Sequence, residues 1–345
     1  MSTLPEPVPH SPENSGEPGS SSFPPPLPPE EWVADPPEVE SYDNPPPAAP
    51  LPLIYPTGRP IEPELFASYS HPAYMPPPRT PNFGDLGLLL ILLALGWLGA
   101  GSILLIALHF HVFGISTLKQ AVDDFRYTLG SQAIQYFITF GGCLILFPLV
   151  WHKGFFAGLH WRGAIALHQR ARLFTAAMLC FVAAVVNGLL MPGPTDAPID
   201  KIFRVPGAAW VLFAFGITLA PFFEELAFRG FLLPALSTAY DWTVERVTKN
   251  SPRPLDENGH PQWSVAAMSV ASILTSVPFA LMHGEQTGYS LGPFLLLICV
   301  SLVLCWARIT TRSLAASVVV HSSYNFLLFS MMLLGTGGFK HLDKM

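Results

Sequence analysis

From Leu86 to Leu334 the chain is a succession of apolar runs, and this restricts its fold more than any other feature. The runs are Leu86–Leu108, Gln132–Trp151, Leu173–Met191, Ala208–Leu236, Val265–Met282, Leu291–Ala307 and Leu314–Leu334. A run of roughly 20 residues crosses a bilayer as a helix. Backbone in hydrocarbon must satisfy its own N–H and C=O groups, which a helix does within one segment. Only 12% of the residues are charged, against about 25% in an ordinary soluble domain. The expectation is an all-α, polytopic integral membrane helical bundle of about seven or eight transmembrane helices. The fourth run is too long for one straight span, and Pro221 inside it should kink or break it. Phe110–Gly130, with Lys119, Asp123, Asp124 and Arg126, reads as an interfacial segment.

The first 83 residues are of another kind. They hold 25 of the 37 prolines, and eleven acids stand there against Arg59 and Arg79. Such a segment has too little apolar surface to offset its ordering entropy, so it reads as a disordered acidic tail with polyproline II character. It lacks the basic-then-apolar pattern of a signal peptide. The stretch Ser21–Pro29 is a candidate ligand for an aromatic-lined groove on a partner, a solvated tail being the alternative. The four cysteines (Cys143, Cys180, Cys299, Cys305) lie in apolar runs without zinc-site or disulfide spacing. Nothing in the charge pattern suggests a nucleic-acid partner. Nine lysines and arginines in the loops after the second, fourth and sixth runs face four in the opposite loops. By the positive-inside rule this puts the first set and the N-terminus in the cytoplasm of a cell-membrane protein, although Lys340 and Lys344 count against it. The organisation read here is a tail (1–83), N-terminal membrane helices (84–204), a C-terminal membrane core (205–335) and a short end (336–345).

Within the fourth run stands Pro221-Phe222-Phe223-Glu224-Glu225-Leu226-Ala227-Phe228-Arg229-Gly230. Charges at membrane depth are costly unless paired, and they read as functional by default, with a structural salt bridge as the alternative. On a helix Glu225 and Arg229 share a face, acid before base. Glu224 points elsewhere and is left as a lone carboxylate in a low-dielectric place, which suits a general base.

Two further runs carry polar residues. Phe279 and His283 are four apart, as are His321 and Asn325. His283, at the end of its run, reads either as an interfacial residue or as a catalyst. His321 lies roughly 12 Å into its span at about 1.5 Å per residue, with the Asn325 amide on the same face. Two donors on one face suit a developing oxyanion; the alternative is an interhelical hydrogen bond. Two histidines and two carboxylates make a zinc set to be weighed, but no HExxH is present and Glu225 is engaged by Arg229. A serine mechanism lacks a G-x-S-x-G turn.

Glu224-Glu225-x-x-x-Arg229, Phe279-x-x-x-His283 and His321-x-x-x-Asn325, in this order on separate apolar segments, resemble the CAAX-protease and bacteriocin-processing (Abi) family, which includes the type II CAAX prenyl endopeptidases. The resemblance covers about residues 205–335; Gly230 and the small-residue lead into His321 share it. It implies an endopeptidase cutting a membrane-associated peptide or lipidated protein. Glu224 would activate water and His283 would orient it. His321 and Asn325 would stabilise the oxyanion, with Glu225 and Arg229 as structural support. Members are described both as metalloproteases and as glutamate proteases; the residue reading favours the second, with no cofactor and zinc as the alternative. A non-catalytic membrane scaffold or immunity protein is the rival from another class, and a transporter using Glu224 as a proton relay is a third. Taken as full spans, the runs set His283 near one membrane face and His321 nearer the other. Their meeting with Glu224 then requires the Gly284–Ser290 loop to dip inward or a segment to be re-entrant.

Overall fold

The first described helix begins where the prolines stop. Asn82 caps it by accepting from the backbone of Gly84 and Asp85, and the Asp85 carboxylate accepts from the Asn82 N–H in return. The structure is a computed structural model that describes residues 81–191, 205, 207–257, 259 and 261–339. The tail read over 1–83 therefore lies outside the described residues up to position 80, as do Lys201, Arg204, Lys340 and Lys344.

The elements in order are α1 (Phe83–His109), α2 (Leu118–Asp123), α3 (Phe125–Trp151), the short α4 (Phe155–Gly158) and α5 (Gly163–His168), then α6 (Arg170–Leu190). There follow α7 (Ala208–Ile217), α8 (Leu219–Glu225), a π-helical segment (Leu226–Leu232) and α9 (Leu233–Thr248). The chain closes with α10 (Val265–Met282), α11 (Leu291–Thr311) and α12 (Leu314–Gly335). Among the described residues seven helical stretches are long and apolar enough to cross a membrane, Ala208–Thr248 counting as one; six contain a run read from the sequence whole, and Arg170–Leu190 contains all of the third but its last residue, Met191. Among the described residues there is no strand, only an isolated bridge between Leu255 and Pro261. The protein is an all-α, multi-pass membrane bundle. Large apolar side chains such as Leu90, Leu95, Trp97 and Leu98 on α1 point outward, as a lipid-facing surface requires.

One boundary differs from the sequence reading. Phe125–Gly130, which lie before the second run read from the sequence, are the first turns of α3. Asp124 is the reason: its carboxylate caps the helix by accepting from the Arg126 N–H and pairs with the Arg126 side chain at 2.6 Å. The short α2 and a single turn at Val112–Gly114 remain between α1 and α3.

α1 packs along α3 with small residues at the contact. A Cβ on Gly96 would stand 2.3 Å from Thr139 Oγ1 and 2.9 Å from the Gln135 carbonyl oxygen. At the other end Trp151 Nε1 donates to Asp85 at 3.0 Å, so the cap of α1 also pins the end of α3.

The long fourth run does break, three residues before its proline. Pro221 has no N–H for the carbonyl of Ile217 and its ring crowds that carbonyl. The chain answers at Thr218, whose φ of −122° and ψ of −77° separate α7 from α8. A second proline shapes the π segment. There the Leu233 N–H bonds back to Phe228, and the next carbonyl in that register, Arg229, would need the N–H that Pro234 lacks. The buried Arg308 supplies it, Nε donating to the Arg229 carbonyl at 3.2 Å while NH2 donates to Leu159 at 3.3 Å.

Register between the C-terminal helices decides which side chains meet Glu224. α10 starts beside the far part of α9, where the Ser264 N–H and hydroxyl donate to Asp241 at 2.9 and 2.6 Å. α12 starts much closer to the site, its Leu314 side chain 3.4 Å from where a Gly230 Cβ would sit. The 18 residues of α10 thus run back to the level of Glu224, whereas α12 reaches it in about two turns. Gly284–Ser290 then climbs in turns from that level to the start of α11, which is fixed beside α6 by Asn187 donating to the Gly292 carbonyl at 3.1 Å. His283, at the end of α10, thereby comes to Glu224 at the start of the loop.

Candidate active site

Glu224 and Glu225 are the last two residues of α8, and Arg229 lies in the π segment that follows. Arg229 NH1 donates to Glu225 Oε1 at 2.9 Å, the pairing expected from their spacing, with both side chains wholly buried. The guanidinium also donates through NH2 to the Ser301 carbonyl at 3.0 Å and hydroxyl at 2.6 Å. It lies 4.5 Å from the centre of the Phe279 ring. Glu225 Oε1 accepts in addition from His321 Nδ1 at 2.9 Å. A carboxylate can only accept, so His321 carries its proton on Nδ1 and turns Nε2 the other way.

His283 is set by the same logic. It is the C-cap of α10, and its Nδ1 donates to the Phe279 carbonyl at 2.9 Å. A carbonyl too can only accept, which leaves Nε2 free to face outward. Both Nε2 atoms are aimed at one oxygen: Glu224 Oε2 lies 3.7 Å from that of His283 and 3.8 Å from that of His321. These separations exceed a direct hydrogen bond. Among the described residues Glu224 Oε2 has no hydrogen-bond partner. The Glu224 side chain keeps 12% exposure while Glu225 and Arg229 keep none, so of the two carboxylates it is Glu224 that a solute can reach.

Asn325 comes near by a different route. Its Nδ2 donates to the Gly216 carbonyl at 2.7 Å, two residues before the break at Thr218, and so engages one of its two amide protons. The structure thus brings Glu224, Glu225, Arg229, His283 and His321 into one cluster and ties Asn325 to the broken helix beside it.

Beside Glu224 opens a cavity of about 430 Å³ bounded by α1, α3, the Phe223–Leu232 stretch and Met282. Its α1 wall is made of leucines, and α3 adds Gln132, Gln135, Tyr136 and Thr139. Sequence reasoning missed these four, although their spacing along an apolar run marks one polar helix face. It also missed Ser301, a single residue in its run, and read Arg308 among the basic residues of the loop after the sixth run, whereas it is buried within α11. Three protein ligands are the usual minimum for catalytic zinc. Among the described residues no group of three or more His, Cys, Asp and Glu side chains is arranged to hold a metal.

Residues 206–327 match the Rce1-like family of type II CAAX prenyl endopeptidases. The matched segment, about a third of the chain, contains every member of the cluster, from Glu224 to Asn325. No curated relative and no solved structure matches the chain. The segment that carries the cluster is thus similar to a family of membrane proteases. The helices α1 and α3, which complete the cavity, lie outside the Rce1-like match.

Proposed function

We propose that the protein hydrolyses a peptide bond of a membrane-associated substrate, using a water activated by Glu224. The observation that carries this is the convergence of two imidazole Nε2 atoms on one Glu224 oxygen, at 3.7 and 3.8 Å. Spacings of that size suit a bridging water. With Nδ1 of His283 committed to Phe279, its Nε2 lone pair accepts one water proton and orients the oxygen. Glu224 takes the other proton as the oxygen attacks the carbonyl carbon, and later passes it to the leaving amine.

The oxyanion needs donors. For His321 Nε2 to donate, the ring must carry a proton on both nitrogens, because Nδ1 already donates to Glu225. The second amide proton of Asn325 supplies the other donor. No step of this scheme runs through a metal.

The substrate we infer is a peptide with an apolar anchor, a prenylated cysteine or a transmembrane segment, because the cavity beside Glu224 is leucine-walled on one side and opens among membrane helices. The basic loops keep the N-terminus in the cytoplasm in this reading. The test is cleavage of a quenched farnesylated peptide by the purified protein in vesicles, beside Glu224→Gln, with and without a chelator. The expected result is cleavage by the wild type that survives chelation and is lost in the variant. Loss on chelation would replace the glutamate scheme by a metal one, and wild-type activity in Glu224→Gln would overturn it.

A further inference from the structure

The wall that α3 contributes to the cavity is polar where a membrane helix has no need to be. Thr139 has a structural use, donating to the Leu92 carbonyl of α1 at 3.3 Å. Gln132 and Tyr136 are different. Gln132 Nε2 donates to the Tyr136 phenol oxygen at 2.9 Å, one turn apart. The phenol ring is stacked on Phe223, centroids 4.4 Å apart at 26°, and Phe223 immediately precedes Glu224. The ring is therefore fixed with respect to the carboxylate. Its oxygen already accepts from Gln132, and among the described residues nothing accepts the hydroxyl proton. Glu224 Oε2, in the same cavity, has no partner either, so the two groups do not satisfy each other.

A phenol donor at the partly exposed edge of a mostly apolar cavity, beside a carboxylate, is placed to meet an acceptor that arrives with the ligand. An extended peptide presents a carbonyl about every 3.3 Å along its length. We propose that Tyr136 is a substrate-binding residue. Its hydroxyl donates to a peptide carbonyl of the substrate other than the one attacked, and Gln132 positions that hydroxyl. This makes α3, outside the family match, a determinant of where the peptide lies against Glu224. It rests on the proteolytic reading above.

The test uses the full chain carrying Glu224→Gln in vesicles, so that binding is read without cleavage. The probe is a fluorescent farnesylated peptide, followed by anisotropy. A panel of the same peptide exchanges one carbonyl oxygen at a time for sulfur, a poorer acceptor. Tyr136→Phe keeps the ring and its stacking and removes only the hydroxyl. Adding it should raise Kd about five- to tenfold, the scale of one hydrogen bond. It should also abolish the effect of sulfur at one position of the panel and leave the other positions unchanged. Gln132→Met should raise Kd less and keep that positional sensitivity. An unchanged Kd in Tyr136→Phe, or a panel to which both proteins respond alike, would overturn the contact while leaving the proteolytic reading in place. No binding of the parent peptide to Glu224→Gln would remove the peptide-substrate reading and the contact together.

Discussion

Removing the Arg229 guanidinium should be among the most damaging single changes in this membrane core. Arg229 makes three hydrogen bonds, to Glu225 Oε1 at 2.9 Å and to the Ser301 carbonyl and hydroxyl at 3.0 and 2.6 Å, with no exposed surface. In Arg229→Met the methionine fills much of the volume but leaves the Glu225 carboxylate buried without its cation. Breaking a buried pair from one side costs about 3–5 kcal/mol. Glu225→Gln alone leaves an unpaired guanidinium and should cost a similar amount. The double variant has no stranded charge, so it should be destabilised by clearly less than the sum, with a favourable coupling of roughly 2–3 kcal/mol. The assay is reversible unfolding in mixed micelles, followed by tryptophan fluorescence, on the wild type and all three variants. If Arg229→Met costs under about 1 kcal/mol, or if the two changes simply add, the pair behaves like a solvated surface bridge and the reasoning fails.

Two other expectations can be checked with the same material. His160, outside the membrane spans, has its pKa pushed down to about 4 by burial and by the charges of Arg308, Lys153 and Arg162. Below its ordinary value of about 6.5 the unfolded chain therefore binds a proton that the folded chain resists. Stability should be full above that value and fall as pH drops from about 6.5 to about 4, by at most roughly 3 kcal/mol. His160→Asn, which tolerates the left-handed φ of 55° found there, should flatten that slope; an unchanged pH profile would refute the assignment. Gly96→Ala should push α1 away from α3 and cost about 1–3 kcal/mol, because the new methyl meets a backbone carbonyl that cannot rotate away. A wild-type unfolding curve for that variant would show the helices to be less closely apposed.

The sequence by itself carried the helices and one pair. A bilayer forces each long apolar run to satisfy its own backbone, so composition and length alone predicted where all seven spans lie. Helical spacing predicted that Glu225 and Arg229 would pair and that Glu224 would be left over, because those relations are local and survive even the π segment. Pro221 announced a break by its missing N–H, though the break falls at Thr218, on the residue after the crowded carbonyl. Asp124 hid the true start of α3, since a capping carboxylate and a solvated one look alike in a string of letters.

What only the tertiary structure decided is which distant groups share a depth. No local rule states that α10 starts beside Asp241 while α12 starts beside Gly230. That offset brings His283 and His321, read as lying near opposite faces, to the same Glu224 oxygen. Packing likewise gave Asn325 the Gly216 carbonyl and gave Arg308 the carbonyl that Pro234 leaves unpaired. It also set Tyr136 against Phe223, at the edge of a cavity that helices α1 and α3 complete. Spacing along one helix fixes a face, but the depth at which that face meets its neighbours comes from side-chain packing along the whole length of the bundle.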